Sequence, residues 1–468
     1  MSGTTTLTTG KLVLTNTTGN NDASDKLRVT SPVTLFDLNS AFGKQPTVMN
    51  ELLTNTQGIA TSNSYISYTY NYVSGSAYPA KAVSQSHTYV PYQSGSSRLI
   101  QLTGVLEASA GGTTGSISRI GCFDDAADKS TNVPGTGNGH FFQLGPGSGT
   151  ANMYVCERSY STSSSTDVLI SQSNWNIDTM MGTGPSGFSI SNWGNAMIFV
   201  IDLLWLGIGR VRMGLLLNGQ VYYVHYFSHS GCYTGSYPPS SVIYYPYIKM
   251  AKLPIRYELN ISSSAGAAAE MRMMCSCVVS EMGFTTSGRS LSYMMAPIVS
   301  PVLGPTISAS VYTPIISISL PYSEPANRMT IAISGINILN TGSNPLAWQL
   351  LSLPGSYNTS LAPYATYLTG ATFAVKTNYP MLNAAATIDT ATTAITGAGF
   401  TASTVVTGNY IASVKQSTVS AGFNANNFLV GTVCNSAISG YPQILTLCAM
   451  GIGGTTTVLA GFTWYEIY

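Results

Sequence analysis

The residues best placed for chemistry lie in one apolar stretch. Asp202, Arg210 and Arg212 fall on successive strand-like pieces of AMIFVIDLLWLGIGRVRMG, 196–214. A buried charge must be paired, so these three read as an ion pair that fixes strand register. The competing reading makes Asp202 a catalytic carboxylate of a sandwich-fold glycosidase. That chemistry needs a second carboxylate at a set separation, commonly on one strand as Glu-x-Asp-x-x-Glu, and no such string occurs. Asp124, Asp125 and Asp128 in FDDAADK form the one acidic cluster. They lack the spacing and closing Glu of a calcium loop and read as a solvated hairpin loop.

The four histidines are His87, His140, His225 and His229. His225 and His229 are four apart, which pairs side chains on a helix, but here they fall on or just after a strand and the spacing loses its metal-ligand meaning. The seven cysteines, Cys122, Cys156, Cys232, Cys275, Cys277, Cys434 and Cys448, are odd in number and contain no Cys-x-x-Cys pair. They read as buried free thiols suited to a reducing cytoplasm. Ser186 in GTGPSG fails the Gly-x-Ser-x-Gly elbow, and no glycine run completes a phosphate-binding loop. The sequence predicts no catalytic residue, no metal ligand set and no cofactor, hence a protein that is not an enzyme.

The composition points the same way. Of 468 residues, 44% are hydrophobic and only 8% charged, with a net charge of +1, against roughly 25% charged in ordinary soluble domains. Charge normally keeps a surface soluble, whereas charged residues are depleted at interface cores. This chain reads as one that works packed against others. No basic stripe exists to collect phosphates, so nucleic acid is not an expected partner. The apolar stretch 196–209 is too short for a membrane-spanning helix and is broken by Asp202; no membrane span is expected.

Ser, Thr, Gly, Asn and Pro recur every few residues between short runs rich in Val, Ile, Thr, Tyr and Phe, the pattern of a many-stranded sandwich or barrel. One modest helix is predicted over 35–55, interrupted by Pro46. The clearest element is a hairpin: strands over 211–217 and 220–227 joined by Asn218-Gly219, a pair suited to a type I′ turn. With a strand over 197–206 it makes a three-strand meander, expected at the centre of a sheet. The segment 222–247 (YYVHYFSHSGCYTGSYPPSSVIYYPY) is unusually rich in tyrosine, which offers rigid, amphipathic contact area. Tyr222, Tyr223, Tyr226, Tyr233, Tyr237, Tyr244, Tyr245 and Tyr247 are therefore the candidate interaction surface, for protein partners or for sugar stacking.

An ordered set of segments also carries a resemblance: SISRIGCFDD (116–125), GHFFQL (139–144), SNWNIDTMMGTGPSGFSI (173–190), the apolar stretch 196–214 and LPIRYEL (253–259). Weaker matches follow in NPLAWQLL, AITGAGF, VTGNYI and the closing TWYEI. Together they resemble a family of two-domain β-rich virion structural proteins, capsid or capsid-associated, of large double-stranded DNA viruses and some tailed phages. The likeness spans roughly residues 36–468 and implies no active-site residue.

The expectations are then an all-β chain with an extended N-terminal arm (1–35), a jelly-roll-like antiparallel β-sandwich (36–285), a Pro/Ser-rich linker (286–325) and a second, smaller β-sandwich or barrel (326–468). The arm, if ordered, should be held by a neighbouring chain, since it has few apolar residues of its own. The resemblance implies a virion protein assembled in the host cytoplasm, with other virion proteins and copies of itself as partners. Two alternatives stand beside it: a receptor- or glycan-binding surface protein with a host glycan as partner, and a glycan-cleaving enzyme.

Overall fold

The computed structural model describes residues 6–8, 11–13, 21–71 (less 24, 27, 29, 30, 47, 56 and 63), 80–107, 115–125, 137–146, 152–159, 166–230, 246–261, 268–281, 289–294, 306–309, 312–319, 330–353, 366–367, 374–377, 404–412, 432–433 and 444–467. The chain divides into two compact units. Unit one is Met1–Ser86, Tyr92–Ala126 and Pro134–Thr285; unit two is His87–Pro91, Ala127–Val133 and Thr286–Tyr468.

The strands of unit one are β1 (Thr6–Thr8), β2 (Lys11–Val13), β3 (Val33–Asn39), β4 (Met49–Thr54), β5 (Gln57–Ser62), β6 (Tyr65–Tyr70), β7 (Ala80–Ser86) and β8 (Arg98–Val105). They continue with β9 (Ser116–Phe123), β10 (Gly139–Leu144), β11 (Met153–Ser159), β12 (Thr166–Ser171), β13 (Met197–Leu203), β14 (Arg210–Leu217), β15 (Gln220–Ser228), β16 (Ile255–Ile261) and β17 (Ala269–Ser280). β1 and β2 pair only with each other; the rest form two sheets, one ordered β12-β11-β10-β9-β16-β7-β4 and the other β15-β14-β13-β8-β17-β6-β5, with β3 also on β17. Every pairing is antiparallel, and the neighbours are often far apart in sequence, as in β8 beside β17 and β9 beside β16. The inner faces interlock: Phe142 meets Phe199 with ring centroids 5.0 Å apart, Tyr68 stacks on Tyr257 at 6.5 Å, and the Tyr257 hydroxyl lies 2.7 Å from Ser276 Oγ on the facing sheet. A buried tyrosine needs such a polar partner. This is a jelly-roll-like antiparallel sandwich.

The expected hairpin forms as β14 and β15, with Asn218 at φ +50° and Gly219 at φ +78°, as a type I′ turn requires. Its place differs from expectation, because β15 is an edge strand and the meander lies at one end of its sheet. The predicted helix over 35–55 is absent. Strand β3, one 3-10 turn at Ser40–Phe42 and strand β4 occupy it instead. The period-2 burial of β3, with Phe36 and Leu38 inward and Asp37 outward, shows why: the segment packs as a half-buried strand.

Unit two is smaller. Its strands are β18 (Arg289–Met294), β19 (Thr306–Ile307), β20 (Thr313–Ser319), β21 (Thr330–Asn340), β22 (Leu346–Leu353), β23 (Thr366–Tyr367), β24 (Ala374–Thr377), β25 (Thr404–Ile411), β26 (Thr432–Val433), β27 (Ile444–Gly451) and β28 (Thr456–Ile467). One sheet is ordered β18-β28-β21-β26 with β19 also on β28; the other is β23-β24-β20-β27-β22-β25. Ile336, Phe462 and Trp464 of the first share one core with Ile316, Trp348 and Leu447 of the second. The stretch expected as a linker, 286–325, thus supplies β18, β19 and β20 to these sheets. Its proline-rich look misleads because a proline is tolerated where the ladder is interrupted, and Pro314 of β20 sits at a register shift.

Candidate functional site

Asp202 sits on β13 at 0% exposure, and its carboxylate is fully engaged. Ser97 donates to Oδ1 at 2.7 Å. Arg212 at 2.6 Å, Arg28 at 2.8 Å and the Tyr223 hydroxyl at 3.0 Å all donate to Oδ2. The Arg212 guanidinium also stacks 4.0 Å over the Tyr223 ring. Buried, with three donors on Oδ2 and one on Oδ1, this carboxylate is committed to holding the structure. The sequence pairing of Asp202 with Arg212 is therefore correct. Arg210 instead pairs with exposed Asp25 at 2.8 Å.

This network holds Asn21, Ala23, Asp25 and Arg28 of the arm. Arg210 Nε donates to the Ala23 carbonyl at 2.6 Å, Arg212 donates to the Asn21 carbonyl, and Arg28 bridges Asp202 to Glu281. The expectation of a neighbour's grip is corrected for this part of the arm: charges of its own unit hold it where apolar residues are lacking.

A second network centres on Glu258 of β16, buried between Arg256 at 2.5 Å and Arg119 at 2.7 Å. Lys81 and the three arginines Arg256, Arg119 and Arg158 outweigh burial and hold its carboxyl well below the usual range. Arg158 grips Asp167 through two nitrogens at 2.7 and 2.8 Å and lies 3.6 Å from Asp125. For Asp124 and Asp125 the expectation of a solvated loop is corrected. Asp124 is buried and caps the β9–β10 connection by accepting the Asn138 N–H at 2.8 Å, while Asp125 faces Arg158 and Lys81. Asp128 lies outside the described residues.

A third group bridges the two sheets. Glu157 of β11 lies opposite His140 of β10. It receives His229 Nε2 at 3.0 Å, and His229 Nδ1 meets the Gly209 carbonyl at 3.0 Å. Both nitrogens face oxygen acceptors, an arrangement that the imidazolium satisfies, and Glu157 raises the His229 pKa against the effect of burial. His229 stacks flat on Tyr247 at 3.6 Å. Burial drives His140 and His225 the other way, each down to about 4. Among the described residues, no group of three or more His, Cys, Asp or Glu side chains is arranged to hold a metal ion.

The tyrosine surface expected over 222–247 is only partly a surface. Tyr223 and Tyr247 are each 4% exposed and belong to the interior, Tyr223 turned inward by its bond to Asp202. Tyr222 is half-buried against Phe188 with centroids 5.2 Å apart, and Tyr226 is half-buried on the edge strand. Tyr233, Tyr237, Tyr244 and Tyr245 lie outside the described residues. Of the cysteines, Cys122, Cys156 and Cys448 are buried as expected, but Cys275 is exposed and Cys277 half-buried.

No local sequence pattern signals the shallow pocket lined by β3, β4, β6 and β17 residues. An open depression of about 240 Å³ is lined by Leu38, Met49, Ile66 and Met273 on the apolar side and by Ser40, Lys44, Gln45, Asn50, Glu51 and Ser84 on the polar side. Lys44 and Glu51 pair at 2.8 Å beside it. An apolar floor with a few convergent polar groups is the usual make-up of a small-ligand site.

No protein-family model matches the sequence, and no curated protein is significantly similar to it. Among solved structures, the endo-β-1,4-glucuronan lyase of Trichoderma reesei is similar over 52% of this chain and 94% of its own, at 8% identity and TM-score 0.32. The β-glucanase of Bacillus licheniformis is similar over 53% and 99%, at 9% and 0.31. Peanut lectin is similar over 54% and 98%, at 13% and 0.30. Scores at this level assign no function to the chain.

Proposed function

We propose that the chain is a non-enzymatic architectural protein. It works by burying weakly charged β-sandwich surface against copies of itself and other proteins of an assembly, which the motifs over 116–259 suggest is a virus particle. One observation carries the reading: charge is scarce, 19 basic and 18 acidic residues in 468, and among the described residues twelve of these, including Arg98, Asp202, Arg212, Arg256 and Glu258, are buried rather than offered to solvent. With only 8% of the chain charged, the exterior is as sparse in charge as the composition implies, a condition that favours association. The carboxylates Asp202 and Glu258 are each clasped by two guanidiniums, which argues against acid–base catalysis at either. Negative-stain electron microscopy of the concentrated full chain tests the proposal. Regular oligomers or lattices are expected; dispersed single particles at every concentration would refute it.

The pocket beside Lys44 and Glu51 favours a second reading, a glycan-binding protein. Its polar rim and apolar floor suit a sugar ring's hydroxyls and its C–H face. Binding of the full chain on a glycan array, lost in a Glu51→Gln variant, would support this reading; no binding would remove it.

A further inference from the structure

The edge of β15 is covered by a short strap, residues 176–178. Asn176 reads the strand as another strand would: its side-chain NH2 donates to the Tyr226 carbonyl and its side-chain oxygen accepts the Tyr226 N–H, both at 2.9 Å. The N–H groups of Ile177 and Asp178 both donate to the Val224 carbonyl at 3.1 Å. That carbonyl is available because β14 and β15 shift register at Met213/Gly214, leaving Val224 without a partner across the ladder. The remaining contact is of another kind. The backbone N–H of Asn176 donates to His225 Nδ1 at 3.1 Å. An imidazole nitrogen accepts only while unprotonated; the imidazolium has two donors and no acceptor.

We propose that His225 is a proton-operated latch: neutral, it fastens the 176–178 strap over the edge of β15; protonated, it repels the Asn176 N–H and uncovers that edge. An uncovered edge strand is a template for pairing with another chain, so the device would couple acidification to association. The inference does not depend on the architectural reading.

The surroundings set the threshold. His225 is 2% exposed, its ring lies 4.7 Å from Phe227, and its Nε2 has no hydrogen-bond partner. Glu157 of β11 is the anion that favours its charged form. His140 of β10, whose ring shares Phe227 at 6.2 Å, and His229, bonded to Glu157, are the other titratable groups, with Tyr247 stacked on His229. On β14, Met213 stands opposite His225. On the strap, Asp178 already accepts the Met180 and Ser186 N–H groups at 2.8 Å.

Amide hydrogen exchange of the full chain near neutral pH and near about pH 4, corrected for intrinsic rates, tests the latch. Protection of the Asn176 and Tyr226 amides should fall at least about tenfold on acidification. His225→Asn, whose side-chain oxygen accepts without titrating, should keep that protection at both pH values. Protection unchanged by acid in the unmodified chain, or lost equally in His225→Asn, would overturn the proposal. Should that variant fail to fold, the imidazole resonances of the unmodified chain decide: loss of Tyr226 protection must track His225 protonation, and loss while His225 is still neutral overturns it.

Discussion

At the scale of residues, the chain's charged groups act as internal fasteners. Asp202 gathers Arg28, Arg212, Ser97 and Tyr223 from segments up to 195 residues apart. Removing one partner of a buried ion pair leaves the others uncompensated. Asp202→Asn should therefore destabilise unit one by about 3–5 kcal/mol, measured by denaturant unfolding; a loss within about 0.5 kcal/mol, typical of surface sites, would contradict the network. The histidines predict an acid limit. His140 and His225 have pKa values depressed from 6.5 to about 4, so the unfolded chain binds protons first. Their stabilisation is whole above pH 6.5 and is lost as pH falls toward 4, by about 3 kcal/mol each. His229, raised above 6.5, contributes below that value and loses its contribution as pH rises through its folded pKa. Thermal unfolding from pH 7 to 4 should show a falling midpoint, and a flat profile would count against the buried neutral imidazoles. The Asp202–Arg212 pair was legible in the sequence because the two sit on successive strands. Arg28 was not, because its partner is fixed by tertiary packing that no local pattern encodes.

At the scale of elements, the sequence was most readable where turn chemistry is strict. Asn218-Gly219 announced the β14–β15 hairpin because both positions demand positive φ. Gly219→Val should cost about 2 kcal/mol, read from the unfolding midpoint; an unchanged midpoint would deny the turn its role. The tyrosines of β15 were less readable. Strict alternation would place Tyr222 and Tyr226 on one face and Tyr223 on the other, but the register shift at Met213/Gly214 changes the parity beyond it, so a count along the sequence cannot give the face. The strap also had no local signal, since WNIDTMMGTGPSG looks like an ordinary loop. Its architecture rests on Gln172, whose amide donates to the Met180 and Ile190 carbonyls at 3.2 Å. Asn176→Ala should cost about 1 kcal/mol and raise aggregation on light scattering by leaving the β15 edge less covered. Equal aggregation of variant and parent would show that the strap does not guard that edge. The helix expected over 35–55 failed because β3 meets β17 far along the chain, and tertiary pairing overrides a weak local preference.

At the scale of the whole molecule, two all-β units share a composition in which only 8% of residues are charged. The low charge was legible in the composition, but which charges are clasped in buried networks, such as Asp202 and Glu258, was not, because composition does not say where a charge sits. The account predicts association that does not depend on ion pairs and so is not screened away. Sedimentation velocity of the full chain across a dilution series, from low salt to about 1 M NaCl, where the Debye length is about 3 Å, tests this most directly. Oligomers that persist with little change at high salt are predicted. A chain that stays monomeric throughout, or oligomers that dissolve as salt rises, would contradict the claim that weakly charged surface drives its assembly.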